Sequence, residues 1–279
     1  MKYNFLSCAK TLIIVAGFAS SLASCTYKEN VDFPYEESIY MPAAGIATGG
    51  AGANGIFTIT PTMEGLSYRY LADKASSKFD IPLSVTRSGV NRSGSIPVNI
   101  ITNTDTINKL IAAGKFSVAA DPLLTTEVLP TKYTLPTSVL LSGDSTLASF
   151  NLSIDLTFMT NSAINFPKKR YAIAVGINSP GVKVDSLKKL TVIFIDPASV
   201  ILPTSNFSSF VDGPYKTASF INTSLNGTAY SWDFGDGTPV LATASATHKY
   251  SAGGNYTVTL TAIGITGTIS VKTSSVAIP

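Results

Sequence analysis

Tyr230-Ser231-Trp232-Asp233-Phe234-Gly235-Asp236-Gly237 decides how the end of this chain is built. Its three aromatics alternate with Ser231 and Asp233, so an extended strand carries all three on one face. Gly235-Asp236-Gly237 then breaks the alternation with turn chemistry, because glycine tolerates positive φ and a short carboxylate bonds its own backbone. Downstream, His248 and Tyr250 share a face, and Gly253-Gly254 marks another turn. Tyr256, Val258 and Leu260 alternate with Thr257, Thr259 and Thr261, the pattern of a half-buried antiparallel strand. The stretch reads as a small sandwich core centred on Trp232.

Trp232-Asp233-Phe234-Gly235-Asp236-Gly237, His248-x-Tyr250 and Gly254-x-Tyr256-x-Val258-x-Leu260 follow in this order, with Phe220-x-Asn222-x-Ser224 upstream. Together they resemble the PKD family of immunoglobulin-like β-sandwiches, over Pro203 to Pro279. The resemblance implies an extracellular fold that serves as spacer or interaction module and carries no catalysis. Some members of that family bind calcium, which here would fall to Asp233 and Asp236. The residues also support a plainer reading, in which Asp236 closes a turn and Asp233 faces solvent. A calcium site needs about six or more oxygens, and no such ligand series is present in the sequence.

At the other end, residues 1–24 read as a secretory signal. Lys2 and Lys10 supply positive charge, Leu12 to Ala19 an apolar run, and small residues follow. The run is far shorter than the ~20 residues that span a bilayer, and no later stretch is long and apolar enough. Leu22-Ala23-Ser24-Cys25 resembles the bacterial lipobox, which implies Cys25 as the lipid-attachment residue. Cys8 lies in the signal, so Cys25 is the one mature cysteine and no internal disulfide can form. Removal of Lys2 and Lys10 leaves 18 Lys+Arg against 17 Asp+Glu, a near-neutral balance with no electrostatic footprint for nucleic acid. Lys168-Lys169-Arg170 and Lys188-Lys189 read as solvated loop edges. Residues 25–38 are polar and acidic, a tether between lipid and folded chain.

From Ile39 to Ile195 the pattern is almost wholly β. Phe79, Ile81, Leu83 and Val85 alternate with polar residues or Pro82; Ile96, Val98 and Ile100 do the same. The longest alternating strand runs from Ala148 to Phe158. Tyr171, Ile173, Val175 and Ile177 follow, then a nearly continuous apolar strand from Leu190 to Ile195. This spacing, with Gly, Pro and Asn between runs, is that of a sandwich. One helix stands out: Asn103-Thr104-Asp105 caps it, Ile107, Leu110 and Ile111 form its stripe, and Gly114 ends it. It is expected over one end of the sandwich. The Pro82-Leu83-Ser84-Val85 strand with Ser88-Gly89, the helix at Asp105 to Ala113, Leu129-Pro130-x-x-Tyr133-x-Leu135-Pro136 and the Tyr171-Ala-Ile-Ala-Val strand resemble a Bacteroidota lipoprotein family of unassigned function. This is the domain-of-unknown-function family 1735, whose members often precede binding modules or glycosidases on the cell surface. Pro197 to Thr204 is expected to hinge the two domains.

Chemistry-bearing motifs are sparse. Gly50-Ala-Gly52-Ala-Asn-Gly55 spells G-x-G-x-x-G, but Ile56 to Thr60 reads as a strand where a dinucleotide site needs a helix. His248 is the sole histidine and sits in strand packing; no G-x-S-x-G elbow accompanies it. One histidine without a free thiol makes zinc improbable. Exposed tyrosines can stack on sugar rings, and Tyr40, Tyr68, Tyr70, Tyr133 and Tyr215 are the open positions, with packing the commoner role.

The reading is therefore an all-β chain of two tandem immunoglobulin-like β-sandwiches, the first with one short helix. Its parts are signal 1–24, tether 25–38, first domain 39–198, linker 199–203 and PKD-like domain 204–279. Trp232, Asp233, Phe234, Gly235, Asp236, Gly237, His248, Tyr250 and Tyr256 form the structural motif. We expect a non-enzymatic outer-membrane lipoprotein on the cell surface, without cofactor or metal. The inward face of that membrane is the alternative, because Thr26-Tyr27-Lys28-Glu29 matches a surface-export signal imperfectly. Its partners would be the membrane, through the lipid on Cys25, and a polysaccharide bound as accessory protein. A structural or adhesive role toward surface proteins is the alternative.

Overall fold

A computed structural model describes residues 36–45, 55–61, 63, 69–89, 94–116, 124–143, 145–166 and 169–279. The signal, Cys25, most of the tether, the loop from Gly50 to Asn54, Tyr68 and Lys168 lie outside the described residues. Glu37 to Pro279 is one compact unit. In chain order it holds β1 Ser38–Tyr40, α1 Pro42–Gly45, β2 Ile56–Thr58, β3 Leu71–Asp73, β4 Lys78–Ser88, β5 Ile96–Thr102, α2 Thr104–Ala112, β6 Thr125–Val128, β7 Tyr133–Thr134, β8 Ser138–Leu141, β9 Leu147–Asp155, α3 Leu156–Met159, α4 Ser162–Asn165, β10 Lys169–Asn178, β11 Lys183–Val184, β12 Leu190–Ile195 and α5 Pro197–Ile201. The C-terminal strands are β13 Phe207–Asp212, β14 Thr217–Asn222, β15 Gly227–Asp233, β16 Ala246–Lys249, β17 Gly254–Gly264 and β18 Ile269–Ile278.

The first sandwich packs a sheet ordered β11-β1-β4-β9-β7 against one ordered β2-β12-β10-β5-β8, with β3 also on β4 and β6 also on β10. Between them Phe79, Ile81, Leu83 and Val85 of β4 meet Tyr171, Ile173, Val175 and Ile177 of β10 in one buried core. Pro82 is tolerated inside β4 because β3 pairs only with Lys78 to Asp80 and β1 only with Thr86 to Ser88. That edge of the strand asks for no donor between them, so the missing N–H is not felt.

Strand β10 is buried on both faces, which explains its lack of alternation. Its outward Ala172 and Ala174 join Val192, Ile107 of α2 and Phe116 in a second cluster. Helix α2 therefore lies on the outer face of this sheet, not over the end of the sandwich. Small alanines leave room for a helix whose apolar stripe needs a covering surface. Its cap is as read: Asn103 Oδ1 accepts from Thr106 N at 2.9 Å.

Three sequence expectations are corrected. The strand from Ala148 stops at Asp155, whose Oδ1 accepts from Thr157 N at 2.8 Å and starts the helical turn α3. Phe158 thus belongs to a helix; Leu156 and Met159 are its buried positions. Beyond α2, four more short α-helices and one 3₁₀ turn, Gly213–Tyr215, appear among the described residues, where one helix was foreseen. Arg170 is no loop edge: it is 2% exposed on β10, its Nη2 donates to Leu124 O at 3.1 Å, and its guanidinium lies 5.5 Å from the centre of the Phe194 ring.

The C-terminal sandwich pairs sheet β13-β14-β16 with sheet β15-β17-β18. Trp232 is fully buried among Phe207, Phe220 and Leu260, and its Nε1 donates to Thr243 O at 3.0 Å. The segment read as a hinge is structured. Asp196 caps α5 through Ser199 N at 3.2 Å, and Val200 and Ile201 sit in the first core. Thr204 and Leu225 exchange two backbone bonds. Asn226 Nδ2 donates to Ser199 O at 2.7 Å and Leu202 O at 2.9 Å, while its Oδ1 accepts from Tyr70 Oη at 2.8 Å. Ile265, in the β17–β18 turn, packs on the first core.

Candidate binding clefts

Among the motif residues, the carboxylates are spent on local structure. Asp233 Oδ1 accepts from Gly235 N at 2.9 Å. Asp236 Oδ1 accepts from Thr238 N at 3.1 Å and Oγ1 at 2.6 Å, and its Oδ2 lies 2.7 Å from His248 Nε2. Burial alone would raise the Asp236 carboxyl, but the Thr238 and His248 hydrogen bonds outweigh it and hold it at about 2. His248 stacks flat on Phe234 at 4.0 Å and meets the edge of Tyr250, which stacks on Tyr256. Burial lifts the Tyr250 phenol to about 12, with the charge of Asp236 adding to it. Gly235 has φ +73, and a Cβ there would lie 2.4 Å from Thr257 O, so only glycine fits. Gly237 also has positive φ. This constellation is a brace between turn and strands.

The tyrosines left open divide cleanly. Tyr70 is buried at the domain joint, stacked on Phe79. Tyr40 is half-buried with Lys188 Nζ 5.2 Å from its ring centre. Tyr215 is 69% exposed in the turn between β13 and β14. Tyr133 is half-buried and forms the wall between two clefts.

The first cleft, of about 370 Å³, lies between the β3–β4 turn, the β6–β7 loop and the end of β9. Lys78, Lys132, Ser77, Thr131 and Ser153 line it beside Tyr133. The second, about 270 Å³, opens where β5 and β6 part along the same edge of β10, beneath the start of α2. Both hold hydroxyls around one aromatic face, the arrangement that polyhydroxylated ligands use. Among the described residues, no His, Cys, Asp and Glu side chains group in threes to hold a metal.

Comparison with known families matches residues 215–278 to the PKD domain family. The C-terminal sandwich is a PKD domain. Similar solved structures include the PKD1 domain of the Vibrio cholerae metalloprotease PrtV, 30% identical over 28% of this chain and 98% of that one, with a TM-score of 0.26. A candidate carbohydrate-binding protein from Bacteroides ovatus is 12% identical, over 80% of this chain and 67% of its own, with a TM-score of 0.33. A multidomain protein including DUF1735 from Bacteroides ovatus is 14% identical, over 85% and 70%, with a TM-score of 0.38. Among curated proteins none matches.

Sequence reasoning singled out Tyr133 only as one open tyrosine of five. It missed Lys74, Lys78 and Lys132, which are isolated along the chain and gathered by the β3–β4 turn and the β6–β7 loop. It also missed Asn226, which joins the PKD domain to the first sandwich. The Asn226-Gly227 pair was a turn signal, and positive φ at Asn226 follows from it.

Proposed function

We propose that this chain is a lipid-anchored protein of the outer membrane, exposed on the cell surface, that binds polysaccharide through the clefts beside Tyr133 and performs no chemistry on it. One observation carries the reading: the partly buried Tyr133 ring, packed on the edge of the first core and with a hydroxyl that has no partner among the described residues, stands between two clefts that each carry several hydroxyls. Sugar rings stack on such a face while their hydroxyls meet the rim. The lipobox resemblance at Cys25 supports the anchor, and the acidic tether would hold the clefts off the lipid.

A glycan array with the detergent-solubilised full chain tests the function. We expect polysaccharide binding that Tyr133→Ala weakens about tenfold or more, the equivalent of ~1.4 kcal/mol. Equal binding by the variant would discard the site. Cys25→Ala should move the protein out of the membrane fraction, and undiminished retention would count against the anchor.

A second reading has its own support. Phe210 and Ile221 are 70% and 57% exposed on the outward face of β13 and β14, with Tyr215 in the connecting turn. Such a face on the PKD domain suits a protein partner. A chain deaf to every glycan, but retained by neighbouring envelope proteins through Phe210, would favour it.

A further inference from the structure

The two clefts beside Tyr133 belong to a longer series. Ser77 lines the first of them and also a third cleft of about 400 Å³, which holds Lys74, Thr157 and Thr160 from the first sandwich and Ile265 and Thr266 from the PKD domain. Ile265 in turn lines a fourth, of about 210 Å³, floored by Tyr70, Val200 and Asn226 at the joint. Consecutive clefts therefore share a wall: Tyr133 with Thr131, then Ser77, then Ile265. Two of the four, at about 270 and 210 Å³, are small for a ligand buried alone, where about 300–1,000 Å³ is usual, and the other two lie at the low end of that range. Clefts divided by single-residue ridges suit a repeating chain that sets one unit in each.

The charge along this path is predominantly positive, with three lysines against one carboxylate in the lining. Lys74, Lys78 and Lys132 are exposed, and none enters an ion pair among the described residues. The one lining carboxylate, Asp155, accepts from Thr157 N through Oδ1. Nearby Asp73 adds a second negative charge, held ionised by hydrogen bonds from Ala75 N and from Ser76 N and Oγ, which leaves the three lysines in excess. Three ammonium groups outside any ion pair among the described residues thus stand beside hydroxyls and an aromatic ring, in excess over the neighbouring carboxylates. A carboxylated or sulfated sugar polymer answers that pattern better than a neutral one.

We infer that the protein binds an extended acidic polysaccharide across all four clefts, and that the Ile265–Thr266 turn of the PKD domain completes the site. This rests on glycan binding at Tyr133 and adds chain length, charge and the second domain's share in recognition. The PKD domain is then part of the receptor surface. Because the joint fixes Ile265 on the first core, the clefts stay aligned without cost on binding.

The test is calorimetry on the detergent-solubilised full chain with short (about two-unit) and long (about eight-unit) oligomers. The probes are galacturonate and chondroitin sulfate series, against maltooligosaccharides of equal length. Affinity for at least one acidic series should rise about tenfold or more with length, exceed that for the neutral series, and fall steeply with added salt. Lys74→Glu and Thr266→Glu should each weaken the long acidic oligomer about fivefold or more while leaving the short one and the thermal midpoint unchanged. Affinity independent of length, parity with the neutral series, or indifference of the long oligomer to both variants would overturn the inference. In that event Tyr133→Ala still reports separately: if it weakens the short oligomer, the proposed function stands alone, and if it weakens none, that reading has failed as well.

Discussion

Asp236 serves two neighbours with one carboxylate, closing the turn through Thr238 and holding His248 flat on Phe234. Its folded value of about 2 lies below the ordinary 3.8, so its contribution to stability is complete above 3.8 and lost as pH falls toward 2. We expect the thermal midpoint of the full chain to drop through that window, and to drop less steeply in Asp236→Asn, which keeps the turn acceptor but cannot titrate. Parallel slopes for both proteins would show that the carboxylate is not held low. Trp232 makes a different contribution, by volume and not by charge. Fully buried with its Nε1 bonded to Thr243 O, it leaves a large void and an orphaned carbonyl when truncated. Trp232→Ala should cost ~3–5 kcal/mol in denaturant unfolding, and a loss below ~1 kcal/mol would contradict the buried placement.

Helix α2 was legible in the sequence because capping is local chemistry. Asn103 and the Ile107 stripe announce it without reference to anything distant, and Asn103→Ala should cost about 1 kcal/mol in unfolding free energy. An unchanged midpoint in that variant would mean that packing on Ala172 and Ala174, not the cap, holds the helix. Where the helix lies was not legible, since it depends on which strand leaves small residues facing outward. The same limit explains the overrun of β9. Phe150, Leu152, Ile154 and Leu156 keep strict alternation, and only the cap bond of Asp155 to Thr157 N reveals that the chain has begun to coil. The clefts follow suit: Tyr133 was visible as a residue type, whereas its lysines come from the β3–β4 turn and the β6–β7 loop, brought together by β4–β9 pairing.

Across the whole molecule, the PKD domain was read from spaced residues because its core is built within one short segment. The joint was misjudged because proline suggests a flexible linker, yet Asp196-Pro197 is also a cap followed by a first-turn proline. In the structure that segment is α5, and Asn226 ties its carbonyls to the PKD domain while receiving Tyr70 from the first. The two sandwiches should therefore unfold together, in one calorimetric transition. Asn226→Gly is the discriminating variant, because Asn226 has φ +55 and glycine accepts that conformation without strain. The variant removes only the side-chain bonds, each worth about 0.5–1.5 kcal/mol, and leaves the Met63–Leu225 bridge and the Ile265 packing in place. We expect the single transition to split in two, and the radius of gyration by solution scattering to grow as the domains move apart. One transition, displaced but undivided, would instead assign the coupling to Ile265 and the Met63–Leu225 bridge. Long-oligomer binding should weaken with the split, because a loose joint no longer keeps the third and fourth clefts in line with Tyr133.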